Sequence, residues 1–426
     1  MIKSLMIEPF YGKGEMMKAF INKESFFLEK FIQILNQEQV PLEIVDTSGN
    51  TYSTCQENVK HKIFIKDPKF FKALVSPDAF SLGEAYIKGY FDISGSIKEL
   101  YEMVYRRLLS THQKKGPLSF LARLFVKIKE KEKENIEYHY NVPGRFYRLF
   151  LGKTMGYTCG YYADETTCMD DAQNEKMDII CQKLRLTPGE KLLDIGCGWG
   201  NFAVFAAKHY GVKVTGITLS SEQKKYAQKW ISDEDLSHQI QIRLLNYRDL
   251  GDEQFDKISC VGMSEHVGKA HMAHFFNCVY NSLKKGGMFL QHTITTNIKR
   301  RKGYENSFLN TYMFPGGELM FEHDLVHIAS RTGFELLNAE NFRPHYVRTL
   351  NDWIVRMEQK KEELLEIVSD HVFRIYHVFF IGSLISFRQK DISLFQNLFY
   401  KTDQENATTR LFSSPYAQKE ASIAKS

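Results

Sequence analysis

The sequence predicts a doubly wound, mostly parallel α/β sheet with a second, smaller α/β unit at its N-terminus. Three observations point there. From Asn174 onward, short apolar runs alternate with helical patterns. One of those runs ends in an acid followed by three alternating glycines, Gly196, Gly198 and Gly200. The first hundred residues keep a different, mixed rhythm, and 426 residues suit two domains better than one.

In the first unit Phe27, Leu28, Phe31, Ile34 and Leu35 fall at helical spacing. Leu42 to Val45 and Tyr52 to Cys55 flank TSGN, a hairpin signal. Val59, His61, Ile63 and Ile65 alternate as in a strand, and Ala79 to Asp92 reads as a helix followed by a turn that glycine permits. The polar stretch Ser110 to Pro117 and the charge-alternating run Lys127 to Glu134 read as a solvated helix or linker. The expected division is therefore 1–110, a linker at 111–135, and 136–426. In the last part the strand candidates are Lys191–Ile195, Val212–Thr218, Ile240–Leu245, Lys257–Gly262, Met288–Ile294 and Phe334–Asn338. Phe202–His209, Ser221–Ile231 and His271–Leu283 are helical stretches between them. In such sheets ligands sit at the carboxyl ends of the strands, near the point where strand order reverses.

Composition narrows the classes. A chain 43% hydrophobic and 25% charged is ordinary for a globular protein, which excludes collagen-like, coiled-coil and wholly disordered chains. Net charge is +5, from 56 basic and 51 acidic residues, without the dense basic stripe of a nucleic-acid binder, so no nucleic-acid partner is expected. The mild excess suits an anionic membrane surface, and equally a slightly basic soluble protein. Seven cysteines without a C-x-x-C pair argue against a disulfide framework or structural zinc and fit a reducing cytoplasm. The opening MIKSLMIEPFYGKGE reaches Glu8 and Pro9 before an apolar core can form, so no signal peptide is expected. The longest nearly uncharged stretch, Ile375 to Phe387, is too short to span a bilayer. Aromatics reach 13%, which suggests a large core or surfaces that handle apolar ligands.

The strongest motif is LLDIGCGWG, Leu192 to Gly200, placed where a strand ends and a helix begins. A dinucleotide fingerprint needs a glycine at 201, which is Asn201, and an acid closing the second strand, where Thr218, Leu219 and Ser220 stand. An acid two residues before G-x-G-x-G suits S-adenosylmethionine (SAM), a ligand without pyrophosphate, whose ammonium end Asp194 can face.

Two polar residues stand where such a fold places its chemistry. Glu265 follows the strand ISCVGM, and His292 interrupts the apolar strand MFLQHTI. A strand buried on both faces reads as an apolar run, so a histidine within it needs a reason. A lone core histidine is the bland account; the pairing with Glu265 at the same sheet edge favours a site. His266 follows Glu265, but no partner at ligand spacing follows it, so no metal is expected.

GYTCGYY, LLDIGCGWG, GITLSSEQ, NYRDL, VGMSEHVG, LQHTI, YMFPGGEL and PHYVRTLNDW follow one another along the chain. The set resembles the cyclopropane-fatty-acyl-phospholipid synthases and the related mycolic acid cyclopropane synthases, closely over about residues 136 to 400 and more loosely before them. The resemblance implies a seven-stranded, Rossmann-like SAM-dependent methyltransferase sheet. It implies that Tyr157 and Thr158 touch SAM, and that Leu192, Leu193, Asp194, Ile195, Gly196, Cys197, Gly198, Trp199 and Gly200 form the loop under its methionine part. Thr218, Leu219, Ser220, Ser221, Glu222 and Gln223 would hold the ribose, and Tyr247 and Arg248 would flank the adenine. Thr218 and Ser220 could equally cap the helix that starts near Ser221.

The implied reaction is methylene transfer to the cis double bond of unsaturated phospholipid acyl chains, giving cyclopropane fatty acids. A branched methyl or methylene product is the alternative outcome at the same site. A bicarbonate ion is the implied base, held by Glu265, His292, Tyr346 and the backbone at Cys159 and Ile294. Tyr157, Tyr161, Tyr162, Tyr312 and Phe314 are candidate neighbours for a cationic centre. One position departs from the family pattern: Ser383 stands where the family helix carries a cysteine, and it reads as a pocket-lining residue. The implied location is cytoplasmic, peripheral to the inner face of the membrane. Residues 1 to about 110 would then help in docking on the membrane surface or in forming a homodimer. The motivation is Phe26, Phe27, Phe31, Phe70, Phe71 and Phe80 beside Lys60, Lys62, Lys66, Lys69 and Lys72.

Overall fold

A polar turn sets the register of the N-terminal sheet. Asp46 accepts hydrogen bonds from the backbone N–H groups of Ser48 (2.8 Å) and Asn50 (2.9 Å), closing the TSGN hairpin between β1 (Glu43–Val45) and β2 (Thr51–Ser53). The computed structural model describes residues 23–37, 40–54, 59–75, 79–104, 142–298, 312–313 and 318–402. The chain divides into two units, Met1–Glu134 and Asn135–Ser426. The linker expected at 111–135 lies outside the described residues.

The first unit runs α1 (Lys23–Gln37), β1, β2, β3 (Lys62–Ile65), α2 (Phe70–Val75), α3 (Ala79–Ile87), β4 (Phe91–Ser94) and α4 (Ile97–Val104). Its sheet order is β2-β1-β3-β4, with β1 parallel to β3. Phe70 and Phe71 are core residues here, not a docking face. Phe70 packs on Phe91 with ring centres 4.9 Å apart, and both Phe70 and Phe71 are buried. Lys62 pairs with Glu43 at 2.6 Å, Lys66 pairs with Asp92, and Lys69 lies over the Tyr90 ring. The side chains of Phe26, Phe27, Phe80 and Lys72 lie outside the described residues.

The second unit opens with α5 (Gly144–Leu151) and α6 (Met169–Lys183). Then β5 (Lys191–Ile195), α7 (Asn201–Tyr210), β6 (Lys213–Thr218), α8 (Ser221–Asp233) and β7 (Ile240–Leu244) alternate as the hydrophobic pattern predicts. They are followed by β8 (Phe255–Val261), α9 (Met272–Ser282), β9 (Leu283–Thr296), α10 (Glu322–Thr332) and β10 (Phe334–Asn341). The chain closes with α11 (Arg343–Gln359), α12 (Lys361–Leu365), α13 (Asp370–Arg388) and β11 (Ile392–Lys401).

The seven-stranded order is β10-β11-β9-β8-β5-β6-β7. Six strands run in one direction; β11 runs antiparallel between β9 and β10. Strand order reverses between β5 and β8, so the crevice at their carboxyl ends is where ligands belong. Apolar residues of both faces bury the sheet. Leu192, Phe202, Val214 and Ile242 form one cluster, and Leu193, Ile258, Phe275 and Phe289 another. No helix among the described residues is long and apolar enough to cross a membrane.

Candidate active site

The glycine-rich loop after β5 takes its shape from three left-handed residues, Gly196, Gly198 and Gly200, with φ of 79°, 53° and 90°. Their reasons differ. A Cβ on Gly196 would stand 2.6 Å from Met263, and one on Gly200 2.8 Å from Ala227, so both allow close packing. A Cβ on Gly198 would meet nothing within 4 Å; its side faces open space, where a ligand can approach. Leu192, Leu193 and Ile195 bury their side chains in the core, leaving backbone for any ligand. Trp199 is buried against Tyr147 and Tyr226.

Asp194 is the penultimate residue of β5, just before this loop. The residue is 2% exposed, and its Oδ1 accepts from Ser259 Oγ at 2.9 Å, joining β5 to β8 at the switch point. Burial pushes its pKa up to about 6, while the Ser259 hydroxyl and Lys176 oppose the rise. Lys176, buried on α6, is brought down to about 8 by desolvation and donates to Thr158 Oγ1 at 2.9 Å.

Beyond β6, Thr218 donates to Gln223 Oε1 at 2.8 Å, and Ser220 Oγ accepts from Gln223 N at 3.2 Å as the N-cap of α8. Leu219, Ser221 and Glu222 are exposed around this turn. After β7, Tyr247 is buried against Phe275, and Arg248 is exposed, with its guanidinium over the Tyr247 ring. Apart from Tyr157 and Thr158, the residues expected to bind SAM thus lie at or just beyond the carboxyl ends of three adjacent strands, β5, β6 and β7.

Next to this strip lies a cavity of about 150 Å³. Tyr157, Thr158, Cys159, Glu265, His292 and Tyr346 line one part of it. Glu265 sits in a short 3₁₀ turn after β8, and Ile294 N donates to its Oε1 at 2.8 Å. The sequence reading assigned the Ile294 backbone to an anion; in the structure that N–H holds Glu265. Burial raises the Glu265 pKa to about 7, against the Ile294 N–H, which lowers it. Burial also drives His292 well below the usual imidazole range and raises the Tyr346 hydroxyl. Glu265 Oε2 and His292 Nε2 are buried without a hydrogen-bond partner among the described residues. Left bare, each of these buried polar atoms costs about 1–3 kcal/mol.

The rest of the wall is largely apolar: Leu350, Trp353, Phe379, Phe387, Ile392 and Leu394. Ser383, on α13, also lines it. Of the five aromatic neighbours expected, Tyr157 lines the cavity. Tyr161 stacks on His345 at 4.4 Å, and Tyr162 donates to Asp352 at 2.8 Å beneath Arg348. Tyr312 is not among the lining residues, and Phe314 lies outside the described ones. Sequence reasoning missed Trp353, Phe379, Phe387 and the buried lysines 176 and 183. A signal existed for the lysines: with Ala172 and Ile179 they stand at helical spacing within a buried stripe of α6. Among the described residues no cluster of His, Cys, Asp or Glu could hold a metal ion.

Residues 127–397 match the family model for mycolic acid cyclopropane synthetase, and residues 27–116 match that of a domain of unknown function. The chain is 33% identical to a probable fatty acid methyltransferase of Pseudomonas putida, covering 86% of this chain and 93% of that protein. It is also 33% identical to the cyclopropane-fatty-acyl-phospholipid synthase of Escherichia coli K12, covering 79% and 87%. Among solved structures, mycolic acid cyclopropane synthase CmaA1 complexed with SAH and CTAB aligns at TM-score 0.58 and 30% identity, over 62% of this chain and 96% of that one. With a matching sheet, a SAM-type glycine loop and an aligned relative that holds SAH, the chain belongs to the mycolic acid cyclopropane synthetase family and is a SAM-dependent enzyme of the cyclopropane synthase type.

Proposed function

We propose that the enzyme methylates the cis double bond of an unsaturated phospholipid acyl chain and closes a cyclopropane ring. One observation carries this reading: the cavity is largely apolar in its lining, and it is also lined by Glu265 and His292, whose buried Oε2 and Nε2 have no partner among the described residues. An acyl chain fits the apolar wall. In the reaction the alkene π pair attacks the sulfonium methyl of SAM, S-adenosylhomocysteine leaves, and a carbocation remains. A proton then leaves the new methyl group, and the C–H pair closes the ring. Such a site has to exclude water, tolerate positive charge and accept that proton. The π faces of Tyr157 and Trp353 suit a cationic centre.

The residues fit a small oxyanion with one hydroxyl. Ionised Glu265 accepts, while His292 and the Tyr346 hydroxyl donate. Bicarbonate, when bound there, supplies a base. For SAM, the open side of Gly198, the Thr218–Gln223 turn and the Tyr247–Arg248 pair are the binding elements. A second reading starts from the same carbocation: proton loss from a chain carbon beside it gives a methyl-branched alkene, and a 1,2-hydride shift followed by proton loss from the methyl gives a methylene chain; the probable fatty acid methyltransferase relative favours it. We place the enzyme in the cytoplasm, on the inner membrane face, because its substrate alkene lies within a leaflet.

Vesicles of unsaturated phosphatidylethanolamine incubated with enzyme and SAM should yield acyl chains heavier by one methylene. Proton NMR should place the new signals in the cyclopropane region. Vinyl or methyl-branch signals would select the second reading, and no mass gain on ester-linked chains would defeat the phospholipid assignment.

Transfer to an alkene needs no covalent enzyme intermediate, so Ser383 serves only as wall. Ser383→Ala should keep turnover within about threefold, under 1 kcal/mol of barrier. A loss as deep as that of a Glu265 variant would give the hydroxyl a chemical role.

A further inference from the structure

Behind His292 stand two buried residues that do not line the cavity. Gln396, on β11, is the register partner of His292 on β9, and its Nε2 lies 3.1 Å from His292 Nδ1. Lys183, at the end of α6, donates to Gln396 Oε1 at 2.8 Å and to Glu340 Oε2 at 2.7 Å. His292, Gln396 and Lys183 are each 0% exposed.

The chemistry of these three groups leaves one arrangement. An ammonium has donors only, and the ion pair with Glu340 opposes the downward pull of burial on the Lys183 pKa. The Gln396 atom facing it must therefore be the oxygen. The amide NH₂ then faces the imidazole, so Nδ1 must accept. A neutral imidazole that accepts at Nδ1 carries its proton on Nε2. Burial keeps His292 neutral, and Nε2 is the ring nitrogen that has no partner among the described residues.

We infer that Lys183 and Gln396 are positioning residues that lock His292 as its Nε2–H tautomer, so that the histidine presents a donor to the cavity and cannot serve as the base. The inference deepens the reading of this cavity as the reaction site and rests on it only for the effect on turnover. Without Lys183 the amide can turn its oxygen toward the ring. Nδ1 then carries the proton, and Nε2 offers a lone pair to the anion it should attract.

The test labels the full-length enzyme with ¹⁵N-histidine and records long-range ¹H–¹⁵N correlations, with His292→Gln identifying the signal. Wild type should show the Nε2–H pattern. Lys183→Met should shift His292 toward Nδ1–H and lower kcat roughly tenfold, the scale on which a lost outer partner costs a metal-bound histidine, with the KM for SAM unchanged. Gln396→Glu should force the Nδ1–H form, and Lys183→Arg, again a pure donor, should restore the wild-type pattern. An Nδ1–H or doubly protonated His292 in wild type overturns the inference, and that measurement needs no variant to fold. An unshifted tautomer in folded Lys183→Met overturns it as well. Because the tautomer is read without turnover, failure to find a cyclopropane product leaves this test standing.

Discussion

Glu265→Gln should lower turnover about a hundredfold and leave SAM affinity within a few-fold. The substitution keeps shape and replaces an acceptor-only carboxylate with an amide whose NH₂ cannot accept. Losing one charge-assisted contact in a buried site costs ~2–3 kcal/mol. His292→Gln and Tyr346→Phe should each lower turnover similarly. The double variants should lose less than the product of the singles, because all three residues line one cavity and, in the proposed reaction, hold one ion. Single-turnover kinetics with saturating SAM is the measurement. Stripping bicarbonate at constant pH should reduce wild-type activity, and returning it should restore it. If activity ignores bicarbonate while Glu265→Gln stays inactive, Glu265 is itself the base, a role its pKa near 7 would suit.

The same substitution should stabilise the fold, with a definite sign in pH. The folded-state pKa of Glu265 is raised from 4.5 to about 7 by burial. Ionising it therefore opposes folding. The cost is absent below the unfolded pKa, grows as pH rises, and is complete above about 7, where it amounts to ~3 kcal/mol. Urea unfolding should show Glu265→Gln equal to wild type at pH 4.5 and more stable at pH 8. Equal stability at both would mean that the carboxylate is better solvated than its burial indicates.

Gly198→Val should abolish SAM binding, weakening it by more than about a hundredfold, or ~3 kcal/mol. At φ 53° a β-branched residue is strained, and that strain is a separate effect from any clash with ligand. Gly198→Asn separates the two. Asparagine tolerates the left-handed conformation, and its side chain would enter the open space beside the loop without touching protein at Cβ. Calorimetry should find the Asn variant folded and weakened as well; full affinity there would move the ligand away from this loop. Asp194→Ala should also lose binding, because it leaves Ser259 Oγ and the buried Lys176 without the carboxylate that sits between β5 and β8. Asp194→Asn can keep the Ser259 contact. If it binds SAM normally, Asp194 acts by shaping the loop; if it fails, the charge itself matters.

Local signals were enough for most of the catalytic fold. Hydrophobic period and turn residues are properties of neighbours in the chain, so β5 could be read residue for residue, and β6 and β7 to within one. The acid–glycine loop was legible because left-handed φ and close approach require glycine wherever they occur. Glu265 and His292 stood out because a polar residue at the end of, or inside, an apolar strand is costly without a purpose. What escaped depended on contacts between distant segments. The sequence ISLFQNLFYK is a strand because it slots antiparallel between β9 and β10. That insertion puts Gln396 opposite His292 across 104 residues of chain. Lys183 reaches the same point across 213 residues. The residue types at the site were visible in the sequence, but Asp194 turning inward to Ser259, Ile294 N–H holding Glu265, and the proton placed on His292 Nε2 were decided only when tertiary packing set each donor against its acceptor.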